Sequence, residues 1–272
     1  MVTAIRIILV AVLVLSLSAC TTTRSLIASF HSTDHFLNLT PDSRILYEAG
    51  AEANAREIVP LLPDAINTVE KQQYSQFRYP VEIYVCASTE SYYKLTGARS
   101  RAVVTSKLFL SPAIFQDRKT MPLYLTHELS HLHLQQQIGI YGAIKLPSWF
   151  KEGLATFVSG GGGATNFTDE QAINEISNGH NFVPDEGGIV SSLLFPRYGN
   201  YWKLDNQMFY RQCMLFVAFM RKSNEISFST FLIAIQNGEE FSTAFTMAYN
   251  ENLSKLWGEF IEEIQRRANH AT

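Results

Sequence analysis

Apolar residues along the chain switch between two periods. Val81, Ile83 and Val85 alternate with Glu82 and Tyr84, the two-residue period of a half-buried strand. Ala102–Thr105 and Leu108–Ser111 lie close together and predict a further pair of strands. Upstream, Thr40-Pro41-Asp42 reads as a helix start, with a capping hydroxyl, a proline in the first turn and an acid at the positive dipole end. That helix is predicted to run to about Ile58, and Pro60 and Pro63 punctuate a second, shorter one. From Thr120 onward the period is helical. Asp205 to Met220 and Phe228 to Ile235 predict two helices, and Leu253, Leu256, Trp257, Phe260, Ile261 and Ile264 mark one amphipathic C-terminal helix. Between Ser159 and Tyr201 lie eight of the fifteen glycines, Gly160 to Gly163 among them, which predicts a long mobile loop. The pattern as a whole predicts an α+β fold. A small, mainly antiparallel sheet with helices occupies about 41–118, and a helical half follows over 119–270.

The N-terminus has a different logic. Met1 to Arg6 carries one positive charge, and Ile7 to Leu17 is an eleven-residue, almost wholly apolar run. A bilayer-spanning helix needs about 20 such residues, so the run suits the core of a signal peptide. Leu17-Ser18-Ala19-Cys20 follows and resembles the lipobox of bacterial lipoproteins, which implies a signal peptide over 1–19 and a lipid on Cys20. Thr21 after the cysteine suggests the periplasmic face of the outer membrane. Residues 20–40 then read as the lipidated cysteine and a flexible stalk, because seven Ser/Thr fall in the thirteen residues 21–33.

Composition narrows the remaining classes. The 272 residues are 46% hydrophobic and 17% charged, which excludes a disordered chain. The formal charge is −3, and removing Arg6 with the signal makes it −4 (−3 − 1). With no long run of either sign, a nucleic-acid partner is not expected. Three cysteines exclude a disulfide scaffold or a Cys-rich zinc module, and Cys86 and Cys213 read as two separate buried thiols.

The chemistry begins at His127-Glu128-Leu129-Ser130-His131. On a helix, residues four apart share one side, so both imidazoles can meet one Zn²⁺. Glu128, in the same turn, can take a proton from a water bound there. Thr120 and Pro122 open the helix, and Leu125, Leu129 and Leu132 give it an apolar stripe. His133 is roughly 200° around from His131 and reads as a packing or surface histidine. Downstream, Leu146-Pro147-Ser148-Trp149-Phe150-Lys151-Glu152-Gly153-Leu154-Ala155 begins a new helix at Pro147. Gly153 in its middle costs about 1 kcal/mol against alanine, and close approach to the metal-bearing helix would compensate. Read alone, Glu152 is a helix glutamate facing water.

HELSH followed by Glu-Gly-Leu-Ala resembles the gluzincin metallopeptidases, and P-x-W-x-x-E-G-L-A is closest to their peptidase MA-like branch. The resemblance runs from about residue 80 to the C-terminus. It implies Glu152 as third zinc ligand and a gluzincin-like domain over 41–270. It also implies a tyrosine that hydrogen-bonds the oxyanion. Tyr210 in Phe209-Tyr210-Arg211-Gln212-Cys213-Met214 fits that place, with Tyr198 and Tyr201 as rivals. An upstream edge strand for substrate would correspond to Leu108–Ser111. The aminopeptidase phrase G-[AG]-M-E-N has no counterpart, since Gly97-Ala98-Arg99-Ser100-Arg101 offers no acid. The expected function is a membrane-anchored, zinc-dependent peptidase acting on peptide or protein substrates in the bacterial envelope. The alternative is a non-catalytic zinc lipoprotein that binds peptide or cell-wall components, against which the intact Glu128 argues.

Overall fold

A computed structural model describes residues 31–271 except 190–191 and 193–195. The predicted signal segment, Cys20 and residues 21–30 of the stalk lie outside the described residues. In chain order the strands are β1 (Leu37–Asn38), β2 (Ile45–Tyr47), β3 (Ile83–Val85), β4 (Ala102–Val104) and β5 (Leu108–Leu110). The helices are α1 (Glu52–Ile58), α2 (Leu62–Gln72), α3 (Thr89–Thr96), α4 (Met121–Lys145) and α5 (Ser148–Val158). They continue with α6 (Asp169–Ser177), α7 (Asn206–Ser223), α8 (Glu225–Gln236), α9 (Phe241–Tyr249) and α10 (Leu253–Ala271). The class is α+β. Among the described residues no helix is long and apolar enough to cross a membrane.

The chain forms two compact units. The first takes residues up to Pro60 together with Val81–Asp117, and the second takes Leu61–Pro80 with Arg118 onward. Residues 61–80, which the sequence assigned to the front part, therefore belong with the helical unit.

The first unit is built on a sheet of order β1-β2-β3-β5-β4. It is mixed rather than mainly antiparallel. β2–β3 and β3–β5 are parallel, with Ile45 opposite Ile83 and Ile83 opposite Leu108, while the outer pairs β1–β2 and β4–β5 are antiparallel. The cause lies in the connections, since β2 to β3 and β3 to β5 are long enough to cross over the sheet. β5 is thus an interior strand, and the edges are β1 and β4. The expectation that Leu108–Ser111 is an exposed edge is corrected accordingly.

The single helix expected from Thr40 to Ile58 is β2 followed by α1. Asp42 binds the Arg44 guanidinium at 2.6 Å instead of capping a helix, and Ile45 enters the sheet fully buried. Gly50, at φ +96°, turns the chain into α1. The stalk also ends earlier than residue 40. Phe36 is buried with Tyr84, Cys86, Tyr92, Leu95 and Phe109 in this unit's core, and β1 follows at once.

In the second unit α2 and α5 pack on α4, and α5 packs closely on α7. Trp149 and Phe150 of α5 lie in an aromatic core with Phe216 of α7, Phe231 of α8 and Phe241 of α9. Trp257 and Phe260 of α10 join it through Phe216. The C-terminal helix buries the predicted stripe Leu253, Leu256, Trp257, Phe260 and Ile264. The glycine-rich stretch differs from expectation. It contains α6, held by a capping box in which Thr168 Oγ1 accepts from Gln171 N–H and the Gln171 side chain accepts from Thr168 N–H. Ala172 and Ile176 are buried there.

Candidate metal centre

α4 positions the first two groups. Leu125, Leu129 and Leu132 are buried along its apolar side. His127 and His131, one turn apart, share the adjoining side, with ring centroids 4.8 Å apart. The His127 Nδ1–H donates to the Gly162 carbonyl oxygen at 2.8 Å. A carbonyl only accepts, so the neutral ring carries its proton on Nδ1 and turns a bare Nε2 towards His131.

α5 supplies the third group. Its local geometry rests on Gly153, where an added Cβ would lie 2.8 Å from the Cys213 carbonyl oxygen and 2.9 Å from its carbon. The close approach that Gly153 permits is therefore to α7, not to α4. With α5 seated this way, Glu152 is 8% exposed, and its Oε2 stands 3.4 Å from His127 Nε2 and 3.5 Å from His131 Nε2. The two nitrogens are 3.1 Å apart. A tetrahedral ion with bonds of about 2.0–2.1 Å separates its ligands by about 3.3 Å. The three donor atoms have that spacing, and these residues form a group able to hold a metal.

Electrostatics agree with the geometry. Burial would raise the Glu152 carboxyl, but the charge that His131 and His127 carry when protonated holds it well below the usual carboxylate range. Its Oε2 is buried with no hydrogen-bond partner. A buried carboxylate oxygen without a donor is costly unless a cation meets it. Two imidazole nitrogens and one carboxylate oxygen also match the donor set of a catalytic zinc. The residues fit the ion.

Around this centre stand the other predicted groups. Burial, opposed by His127 and reinforced by Glu152, pushes the Glu128 carboxyl up to about 7. The Tyr210 ring of α7 stacks against His127, with centroids 6.1 Å apart. Burial, then the charges of Glu152 and Glu128 and the neighbouring Tyr198, raise its phenol well above 10, so it remains a hydrogen-bond donor at neutral pH. Tyr198 is close as well. Burial and Glu152 push it up to about 12 against a hydrogen bond with Ser148. Tyr201 is 58% exposed and packs on Trp202, away from this group.

His133 faces elsewhere. It is fully buried, with Nδ1 2.8 Å from Gln73 Oε1 and Nε2 2.9 Å from the Ser75 carbonyl. Gln73 Nε2 in turn donates to Ser130 Oγ at 2.6 Å, tying the end of α2 to α4. Cys86 and Cys213 are free buried thiols. Sequence reasoning missed the Gly162 carbonyl. The run Gly160–Gly163 was its signal, read as mobility rather than as close approach. No protein family, no curated protein and no solved structure was found to match the chain.

Proposed function

We propose that the protein is a zinc-dependent peptidase of gluzincin type, tethered by a lipid on Cys20 in the bacterial envelope, with peptide or protein substrates. The observation that carries the reading is the convergence of His127 Nε2, His131 Nε2 and the partnerless Glu152 Oε2 at 3.1–3.5 Å. A zinc ion bound there would polarise a scissile carbonyl and lower the pKa of a water molecule. Glu128, one residue from a ligand, accepts the proton of that water and passes it to the leaving amine. Tyr210, kept as a phenol by its buried setting, donates a hydrogen bond to the oxygen of the attacked carbonyl.

The test is metal analysis of the soluble 21–272 form together with a peptide-library digest, run beside Glu128→Gln. About one zinc per chain, cleavage by the unaltered protein and none by Glu128→Gln are expected. Zinc without cleavage of any peptide would favour the non-catalytic binding protein. Absence of zinc would sink both.

A further inference from the structure

The loop that follows α5 is held against His127 from several sides. Gly162 N–H donates to Ser159 Oγ at 2.9 Å, and that hydroxyl donates to the Ala155 carbonyl at 2.7 Å. Gly161 N–H donates to the Thr156 carbonyl at 2.8 Å. On the far side Arg211, the residue after Tyr210 on α7, reaches over the loop. Its Nη2 donates to the Ala164 carbonyl at 2.8 Å and its Nη1 to Asp169 Oδ1 at 3.1 Å. The Arg211 guanidinium also lies within 3.1 Å of where a Cβ on Gly161 would stand.

Two glycines of this loop cannot carry a side chain. A Cβ on Gly162 would lie 2.3 Å from the Leu123 carbonyl oxygen, one turn before His127 on α4. Gly163 has φ +81°, and its Cβ would stand 2.9 Å from His127 Cε1 and 3.2 Å from Tyr210 Cδ2. The bare backbone therefore comes close enough for the Gly162 carbonyl to take the His127 Nδ1 proton in a 2.8 Å hydrogen bond. Arg211 keeps one buried N–H, Nε, without a partner. An unmet buried donor is unfavourable, so the brace is not explained by stability alone.

We propose that Gly162, braced by Arg211, is a positioning device for His127. The loop fixes which nitrogen carries the proton and aims Nε2 at the metal, while α7 presents Tyr210 and the brace from adjacent residues. The inference rests on the reading of His127 as a ligand. It predicts that loosening the loop harms metal binding without touching any ligand, since outer partners of a ligating histidine alter affinity by about 10–100-fold.

The experiment uses the full soluble chain with Arg211→Met, which keeps the length of the side chain and leaves the half-exposed Asp169 to water, and with Arg211→Lys. Two quantities are read: zinc affinity by chelator competition, and the His127 imidazole ¹⁵N shifts in the metal-free protein. The unaltered metal-free protein should show the Nδ1–H tautomer. Arg211→Met should bind zinc about 10–100-fold more weakly and show mixed tautomers at His127, with the His133 resonances unmoved. Arg211→Lys, which keeps one cation near Ala164, should fall between. Unchanged affinity with a single Nδ1–H tautomer in Arg211→Met would overturn the proposal. So would an Nε2–H tautomer in the unaltered protein, a measurement that needs no variant to fold. A protein that binds no zinc yet loses its Nδ1–H tautomer in Arg211→Met would keep the brace and remove the metal reading.

Discussion

Gly153→Ala sets two known effects against each other at a position next to Glu152. Alanine in place of glycine within a helix favours folding by about 1 kcal/mol. The added Cβ, however, would lie 2.8 Å from the Cys213 carbonyl oxygen, 2.9 Å from its carbon and 3.0 Å from its Cβ. Two of these atoms are the backbone of α7, which cannot swing aside as a flexible side chain would. Overpacking costs about 1–3 kcal/mol, and a contact against backbone belongs in the upper half of that range. The net expectation is a loss of roughly 1–2 kcal/mol once the helix gain of about 1 kcal/mol is subtracted. At about 2–4 °C per kcal/mol, the melting temperature should fall by about 2–8 °C. Trp149, Trp202 and Trp257 are the three tryptophans and all lie in the second unit, so selectively excited tryptophan fluorescence reports on that unit. A midpoint equal to or above that of the unaltered protein would refute the close helix contact, because helix propensity would then have won.

Zinc binding should be severely weakened by His127→Ala, His131→Ala or Glu152→Ala. His133→Ala should leave it nearly intact while costing about 1–3 kcal/mol of stability for the unmet Gln73 and Ser75 groups; chelator competition and denaturant unfolding separate the two. Glu128→Gln should keep zinc and lose nearly all hydrolysis, and Tyr210→Phe should lower kcat about 10²–10³-fold in a peptide-cleavage assay. Burial lowers the His133 imidazole below 6.5, against hydrogen bonds that the ring donates to the Ser75 and Gln76 backbone and the charge of Glu70. The unfolded chain therefore takes up that proton more readily. This contribution should be complete above about pH 6.5 and shrink as pH falls towards the folded value, a slope that His133→Gln should flatten in pH-dependent unfolding. Metabolic labelling with a fatty-acid analogue should mark the protein, and Cys20→Ser should abolish the mark; membrane retention after signal cleavage in Cys20→Ser would argue for a protein partner instead.

Much of the site was legible because helical spacing is rigid. His127 and His131 at i and i+4 had to share a side, and His133 had to leave it. Glu152 was not legible that way, since read alone it faced water and only the resemblance set it beside them, and only packing on Cys213 explains why Gly153 follows it. The strand pair at Ala102–Leu110 was legible from local alternation. The sheet's parallel pairs were not, because Ile45, Ile83 and Leu108 meet across long connections that leave no local trace. At Thr40 a strong start signal was overruled by a pairing partner: Ile45 gains more beside Ile83 than in a helix turn. The capping box at Thr168 was a readable signal, hidden by the glycines on either side of it. The Arg211–Ala164 and His127–Gly162 hydrogen bonds join segments 47 and 35 residues apart, which no periodicity records.

The excursion of Leu61–Pro80 bears on how the chain is made. The first unit is complete once residue 117 has emerged, yet by then α2 has been synthesised without the helix it packs on. Gln73 waits for Ser130, 57 positions later. The end of α4 at Lys145 comes 73 residues after Gln72 (145 − 72), which at about 5–20 residues per second is a delay of about 4–15 s. Through that interval Leu62, Ala65 and Val69 of α2 lack the helix they pack on. The unit that carries His127, His131 and Glu152 is therefore not a module that could be cut from the gene at residue 118. Its first helix is encoded inside the other unit, and a fragment starting at Arg118 would leave the back of α4, with Ser130 and His133, open to water.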